Sequence, residues 1–161
     1  MELCTPPDKR ELFLVADDDD NDVFFLRRAF ARANPHNVSL GFVADGEQTV
    51  DYIAGKDRYS DRQTYPIPSL LLLDLNMPRA GGFELLDWLD SNRDLVRFPI
   101  VIFTGSSNPE DHRVATSFDF VIAYLFKSNT FDHLPELLQQ LRVSGQRQDF
   151  PFPGSGWLSC N

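Results

Sequence analysis

The sequence predicts an α/β domain, a doubly wound five-stranded parallel sheet with helices on both faces. Three observations predict it. Five short runs are apolar on consecutive residues, helical periodicities separate them, and acids, a threonine and a lysine stand where the runs end. Continuous apolar runs mark strands covered on both faces, as parallel strands are. Strands alternating with helices, joined by short connections and right-handed crossovers, give such a sheet.

The first strand is LFLVA (12–16) and the first helix spans 21–33, where Val23, Leu26, Phe30 and Ala33 recur at three to four. Asp19 to Asp22 stand at its N-cap and first turn, where negative charge meets the positive helix end. VSLGFV (38–43) is the second strand, and residues 46–54 with Val50, Ile53 and Ala54 form the second helix. A long, unperiodic, proline-containing connection, 55–69, leads to SLLLLDL (69–75). Phe83, Leu86 and Leu89 then lie on one side of a helix over 82–92, and PIVIFT (99–104) follows. The fourth helix begins with Asn108 as cap and Pro109 in its first position. FVIAYLF (120–126) precedes the last helix, around 131–142, whose first turn Pro135 should distort.

The chain has 161 residues, 42% of them apolar, which suits one domain with short extensions. Its boundaries read as an extension over 1–9, a domain over 10–143 and a Gly/Pro/aromatic tail over 144–161. A net charge of −9 argues against nucleic acid, whose phosphates require Lys and Arg. No apolar stretch approaches membrane-spanning length, and MELCTPPDKRE lacks the apolar core of a signal peptide. With Cys4 and Cys160 at opposite ends, a disulfide framework is not expected, and a cytoplasmic setting is. His36, His112 and His133 show no metal-ligand spacing and are read as surface residues.

The chemistry starts from LVADDDDNDVF (14–24). An EF-hand loop is rejected, because glycine and glutamate are missing from the positions it needs. In a doubly wound sheet, ligands bind beyond the carboxyl ends of the strands. Asp17 and Asp18 follow the first strand, Asp74 ends the third, Thr104 ends the fourth and Lys127 follows the fifth. Three converging carboxylates need a counter-charge. Lys127 supplies one, and Mg²⁺, which takes carboxylate, water and phosphoryl oxygens, supplies the rest. A carboxylate nucleophile, a cation, a lysine and a hydroxyl around one space suit in-line phosphoryl transfer to an aspartate. Asp19, Asp20 and Asp22 are assigned to the helix start, with no chemistry.

On FLVADD (13–18), LLLLDLNMPRAGGFELL (70–86), PIVIFTGSS (99–107) and AYLFK (123–127), the chain resembles the receiver domains of two-component response regulators. The resemblance covers about residues 10 to 143 and implies the flavodoxin-like receiver fold. It extends, less specifically, to stand-alone phytochrome-associated regulators. It implies that Asp74 accepts the phosphoryl group, that Asp18 binds Mg²⁺ directly and Asp17 through water, and that the Asn76 carbonyl is a third protein ligand. Thr104 would bond the phosphoryl group, Lys127 would pair with it and with Asp74, and Tyr124 would turn inward as Thr104 shifts. Asn76 and Ser106 stand where the family tunes hydrolysis. The donor would be a sensor histidine kinase, phytochrome-type included, or a phosphotransfer protein, and the output another protein. Such a switch catalyses only its own phosphorylation and dephosphorylation. The rivals are an unphosphorylated pseudo-receiver acting as adaptor, and an aspartate-nucleophile phosphatase; the latter needs a second acid where Asn76 stands.

Two departures from the family carry expectations. Ser128 replaces the proline that usually follows the lysine through a cis bond, so Lys127 is either aimed differently or held under strain. Phe118, Phe120 and Ile122 add apolar bulk near the face of the fourth helix, fifth strand and fifth helix. A homodimer or partner contact is expected there, the alternative being packing beneath the aromatic tail. Phe24 and Phe25 cannot both join the core stripe of the first helix, so one is expected beside the acidic cleft, where a kinase would dock.

Overall fold

The computed structural model describes residues 10–35 and 37–144. The elements run β1 Glu11–Ala16, α1 Asp20–Ala33, β2 Val38–Val43, α2 Gly46–Ala54, β3 Leu70–Leu73, α3 Gly82–Ser91, β4 Ile100–Thr104, α4 Pro109–Thr116, β5 Val121–Phe126, α5 Lys127–Thr130 and α6 Leu134–Ser144. All strand pairs are parallel and the order is β2-β1-β3-β4-β5. The order reverses between β1 and β3, so a crevice opens beyond their carboxyl ends.

Side chains alternate across the sheet into two cores. Leu14, Ala16, Leu71, Leu73, Ile100 and Ile102 face one layer, with Ile53, Leu85, Leu86 and Ala115. Phe13, Val15, Leu70, Leu72, Val101 and Phe103 face the other, with Leu26, Phe30, Leu134, Leu138 and Leu141. Leu26 is fully buried; truncation of such a residue to alanine costs roughly 2–5 kcal/mol.

The helix boundaries follow the capping chemistry. The Asp19 carboxylate accepts from the Asn21 amide at 2.8 Å, and Asn34, at φ 41°, closes α1 through its own amide to the Phe30 carbonyl. Asn108 accepts from the Glu110 amide at 3.0 Å, with Pro109 in the first helical position as expected. The connection 55–69 is more ordered than its composition suggests. Arg62 donates to the Tyr52 and Ile53 carbonyls, each at 2.8 Å, and so satisfies groups that the end of α2 leaves unpaired. Tyr52, Tyr59 and Tyr65 pack edge to face or tilted around it.

Three expectations need correction. The irregular start of the last helix is longer than one turn: α5 and a 3-10 turn, Phe131–His133, precede α6, which begins one residue before Pro135. Ile122 does not add to the face of α4 and β5. Ile100 pairs with Val121 and Val101 with Ala123, so Ile122 is an extra residue. This bulge turns Ile122, with Ala123 and Leu125, into the opposite core. His112 is half-buried, its ring 4.9 Å from that of Tyr124. Phe118 and Phe120 stack on each other at 5.4 Å and pack against the first core, with the Arg93 guanidinium 5.6 Å from the Phe120 ring. The expectations about Cys4, Cys160, His36 and the aromatic tail lie outside the described residues. No described helix is long and apolar enough to cross a membrane.

Candidate functional site

The crevice is built from strand ends. Asp17 follows β1, and its Oδ1 accepts the Asp19 amide at 2.9 Å, which turns the chain into α1. Asp74 follows β3, held by its own amide to the Ala16 carbonyl at 3.0 Å; its Oδ1 accepts the Asn76 amide at 3.1 Å. Behind it, Gly82 lets α3 start against the strand: a Cβ there would lie 2.6 Å from Leu75 Cα and 2.9 Å from the Asp74 carbonyl oxygen. The intervening loop carries Arg79 and Ala80 in the left-handed region, at φ 46° and 61°. It rests on α2, where a Cβ at Gly46 would stand 2.0 Å from the Ala80 carbonyl oxygen. Arg79 also pairs with the buried Asp45, the cap of α2, at 3.6 Å.

Lys127 reaches into this crevice from the end of β5. No described peptide bond is cis, so the chain passes through Ser128 in trans. The lysine still meets the acids: Nζ donates to Asp74 Oδ2 at 2.8 Å and to Asp22 Oδ2 at 2.5 Å. Asp17 Oδ2 is also 2.8 Å from Nζ, an ion-pair contact off the axis of a hydrogen bond, which leaves that buried oxygen without a hydrogen-bond partner. The assignment of Asp22 to the helix start alone is therefore wrong. It occupies the first turn of α1, and its carboxylate points into the site.

The electrostatics follow from burial. Loss of water raises the Asp17 carboxyl above its ordinary value, although the contacts with Lys127 and the Asp19 amide pull it down. Burial pulls the Lys127 ammonium down, and the carboxylates of Asp17, Asp22 and Asp74 around it more than offset this, so its pKa is raised. It stays charged at neutral pH.

Oxygens of Asp17, Asp18 and Asp74 lie within 4.8 Å of one another, with Asp18 exposed and the other two buried. The unsatisfied Asp17 oxygen and an all-oxygen donor set fit a hard divalent cation. A cavity of about 640 Å³ opens over this cluster, lined in part by Asn76, Gly105 and Lys127.

Thr104 is fully buried at the end of β4, and its hydroxyl accepts the Ser106 amide at 3.2 Å. Tyr124 is buried too, and its hydroxyl donates to the Ser106 carbonyl at 3.3 Å. Burial, with Asp111 nearby, pushes the Tyr124 hydroxyl up to about 12, so it remains a donor. Ser106 donates its own hydroxyl to Asp111 at 2.6 Å. On α1, both Phe24 and Phe25 are exposed, 58% and 48%, one more than expected. Phe25 packs on Phe131 at 5.7 Å.

The comparisons agree with this geometry. A family model described as the response regulator receiver domain matches residues 13–139. Response regulator Rcp1 of Synechocystis sp. is 35% identical over 101 residues, 62% of this chain and 65% of that protein. The crystal structure of response regulator RPA3017, in red light signaling of R. palustris, is 36% identical with a TM-score of 0.71, covering 81% of this chain and 90% of that one. The Mn²⁺-bound form of Rcp1 superposes with a TM-score of 0.69 at 26% identity, covering 89% of this chain and 99% of that one. The sheet order, the carboxylates at its switch point and the match across 13–139 together make this chain a member of the response regulator receiver family, the phospho-acceptor switches of two-component signalling.

Proposed function

We propose that Asp74 is the phospho-acceptor and that Asp17, Asp18, Asp74 itself and the Asn76 carbonyl hold Mg²⁺. The observation that carries this reading is the meeting of Asp17, Asp18 and Asp74 within 4.8 Å, with Lys127 bonded to Asp74. An Asp74 oxygen attacks phosphorus in line as the P–N bond of a phosphohistidine breaks and the imidazole departs. Mg²⁺, when bound, neutralises charge on the phosphoryl oxygens. The Asn76 amide orients the Asp74 carboxylate, and Lys127 offers a positive charge to the new phosphoryl group. Water later hydrolyses the acyl phosphate, returning Asp74 and inorganic phosphate.

Thr104 then exchanges its bond to the Ser106 amide for one to a phosphoryl oxygen. Because Tyr124 holds the carbonyl of the same residue, this exchange loosens the start of α4 and carries the signal to the face of α4 and β5. A second copy or another protein reads that face. A sensor histidine kinase, phytochrome-type by similarity to red-light regulators, or a phosphotransfer protein docks beside Phe24 and Phe25. The protein works in the cytoplasm and turns over no added phosphomonoester.

Incubation with Mg²⁺ and acetyl phosphate tests the reading. The wild type should gain one acid-stable, base-labile phosphoryl group and Asp74→Asn none. Equal labelling of both would overturn the assignment.

A further inference from the structure

We infer that Asp22 is a positioning residue for Lys127, a site that retains the ammonium when a divalent cation takes Asp17. The inference deepens the phospho-acceptor reading above and rests on it.

The lysine faces three carboxylates, at 2.8 Å from Asp17, 2.5 Å from Asp22 and 2.8 Å from Asp74. These three are not equivalent. Asp17 and Asp74 belong to the cluster whose oxygens converge within 4.8 Å; Asp22 does not. A cation in that cluster competes with Lys127 for Asp17 and Asp74, and the two positive charges repel. Asp22 is the acceptor that the cation leaves untouched. It is also well placed to hold on. Its side chain is only 18% exposed, that of Lys127 14%, and its backbone amide is tied to the Asp19 cap at 3.4 Å.

With Asp22 present, Lys127 can release Asp17 while keeping one full ion pair outside the metal cluster. Without it, every carboxylate left to the lysine is one the cation needs. Asp22 therefore lowers the competition between the fixed positive charge and the mobile one. It also keeps the ammonium within reach of the phosphoryl group that Asp74 will carry.

Removing Asp22 also removes a negative charge from the cleft, which alone weakens cation binding. Asp20→Asn gives the effect of a lost charge at an exposed position, and the protection of Lys127 separates the two effects. Asp20 lines the same cavity and carries the same charge, but the ion pairs of Lys127 go to Asp17, Asp22 and Asp74.

The full chain, Asp22→Asn, Asp22→Glu and Asp20→Asn are titrated with Mg²⁺ by calorimetry. Reductive methylation of Lys127 at saturating Mg²⁺ is followed by peptide mass spectrometry. Asp22→Asn should bind Mg²⁺ at least about tenfold more weakly than Asp20→Asn, about 1.4 kcal/mol, and should expose Lys127 to methylation. Asp22→Glu should recover part of both. If Lys127 stays protected in Asp22→Asn as it does in Asp20→Asn, Asp22 acts only through its field, whatever the affinities, and the inference is overturned. A wild type that binds no Mg²⁺ overturns the phospho-acceptor reading and this inference with it.

Discussion

Lys127 Nζ donates to Asp74 Oδ2 at 2.8 Å, which joins the end of β5 to the end of β3 across the sheet. The lysine is the fixed positive charge among the carboxylates of this crevice. Removing it leaves buried acids facing one another. Lys127→Met should destabilise the metal-free protein by roughly 3–5 kcal/mol, the range for removing one partner of a buried ion pair. Mg²⁺ should restore more stability to the variant than to the wild type, because it replaces the lost charge. Thermal unfolding with and without Mg²⁺ checks both.

The Asp17 carboxyl has the opposite consequence for stability. Its folded pKa is raised, chiefly by burial, so the folded state favours the protonated acid. Its penalty is absent below the unfolded pKa, grows as pH rises through the folded pKa, and is fully present above it. Asp17→Asn should therefore stabilise the metal-free protein at pH 7, because the desolvation of the charge outweighs its contact with Lys127 at 2.8 Å. The gain should shrink as pH falls towards 4. Mg²⁺ should stabilise the wild type and not the variant, by the linkage of binding to folding. Melting curves across this pH range would show it.

Gly46 supports the loop that follows Asp74 from outside the crevice. A methyl group there would stand 2.0 Å from the Ala80 carbonyl oxygen, a backbone atom that cannot swing aside. Gly46→Ala should cost about 1–3 kcal/mol, the range for overpacking, and should slow phosphorylation by displacing the loop after Asp74. Urea unfolding gives the first value and the rate of labelling by acetyl phosphate the second.

Ser106 bonds both residues of the proposed switch. Its amide bonds Thr104 and its carbonyl bonds Tyr124. Beryllofluoride with Mg²⁺ should shift the Ser106 amide resonance strongly in the wild type. In Thr104→Ala the shift should be smaller, although beryllofluoride still binds, because the exchanging hydroxyl is gone. Amide NMR of the two proteins reads this directly.

Much of this architecture is legible in the chain. Short continuous runs such as SLLLLDL, set between helical patterns, read as strands buried on both faces, and five of them place Asp17, Asp18, Asp74, Thr104 and Lys127 at one edge. What escapes sequence reasoning depends on neighbours distant in the chain. Asp22 reads as one more acid in the first turn of a helix, because its partner stands 105 residues away. The only signal was the number of acids beyond what a helix cap needs. Ile122 sits in an apolar run, and nothing local marks the bulge that turns it to the other core. The order in 55–69 rests on Arg62 reaching back to carbonyls of α2, which periodicity cannot reveal.

The most direct measurement locates the modification itself. The wild type is phosphorylated with acetyl phosphate and Mg²⁺ and then reduced with borohydride, which converts an aspartyl phosphate to homoserine. Peptide mass spectrometry should find homoserine at position 74 and at no other aspartate. Homoserine at Asp17, Asp18 or Asp22, with position 74 still aspartate, would contradict the account.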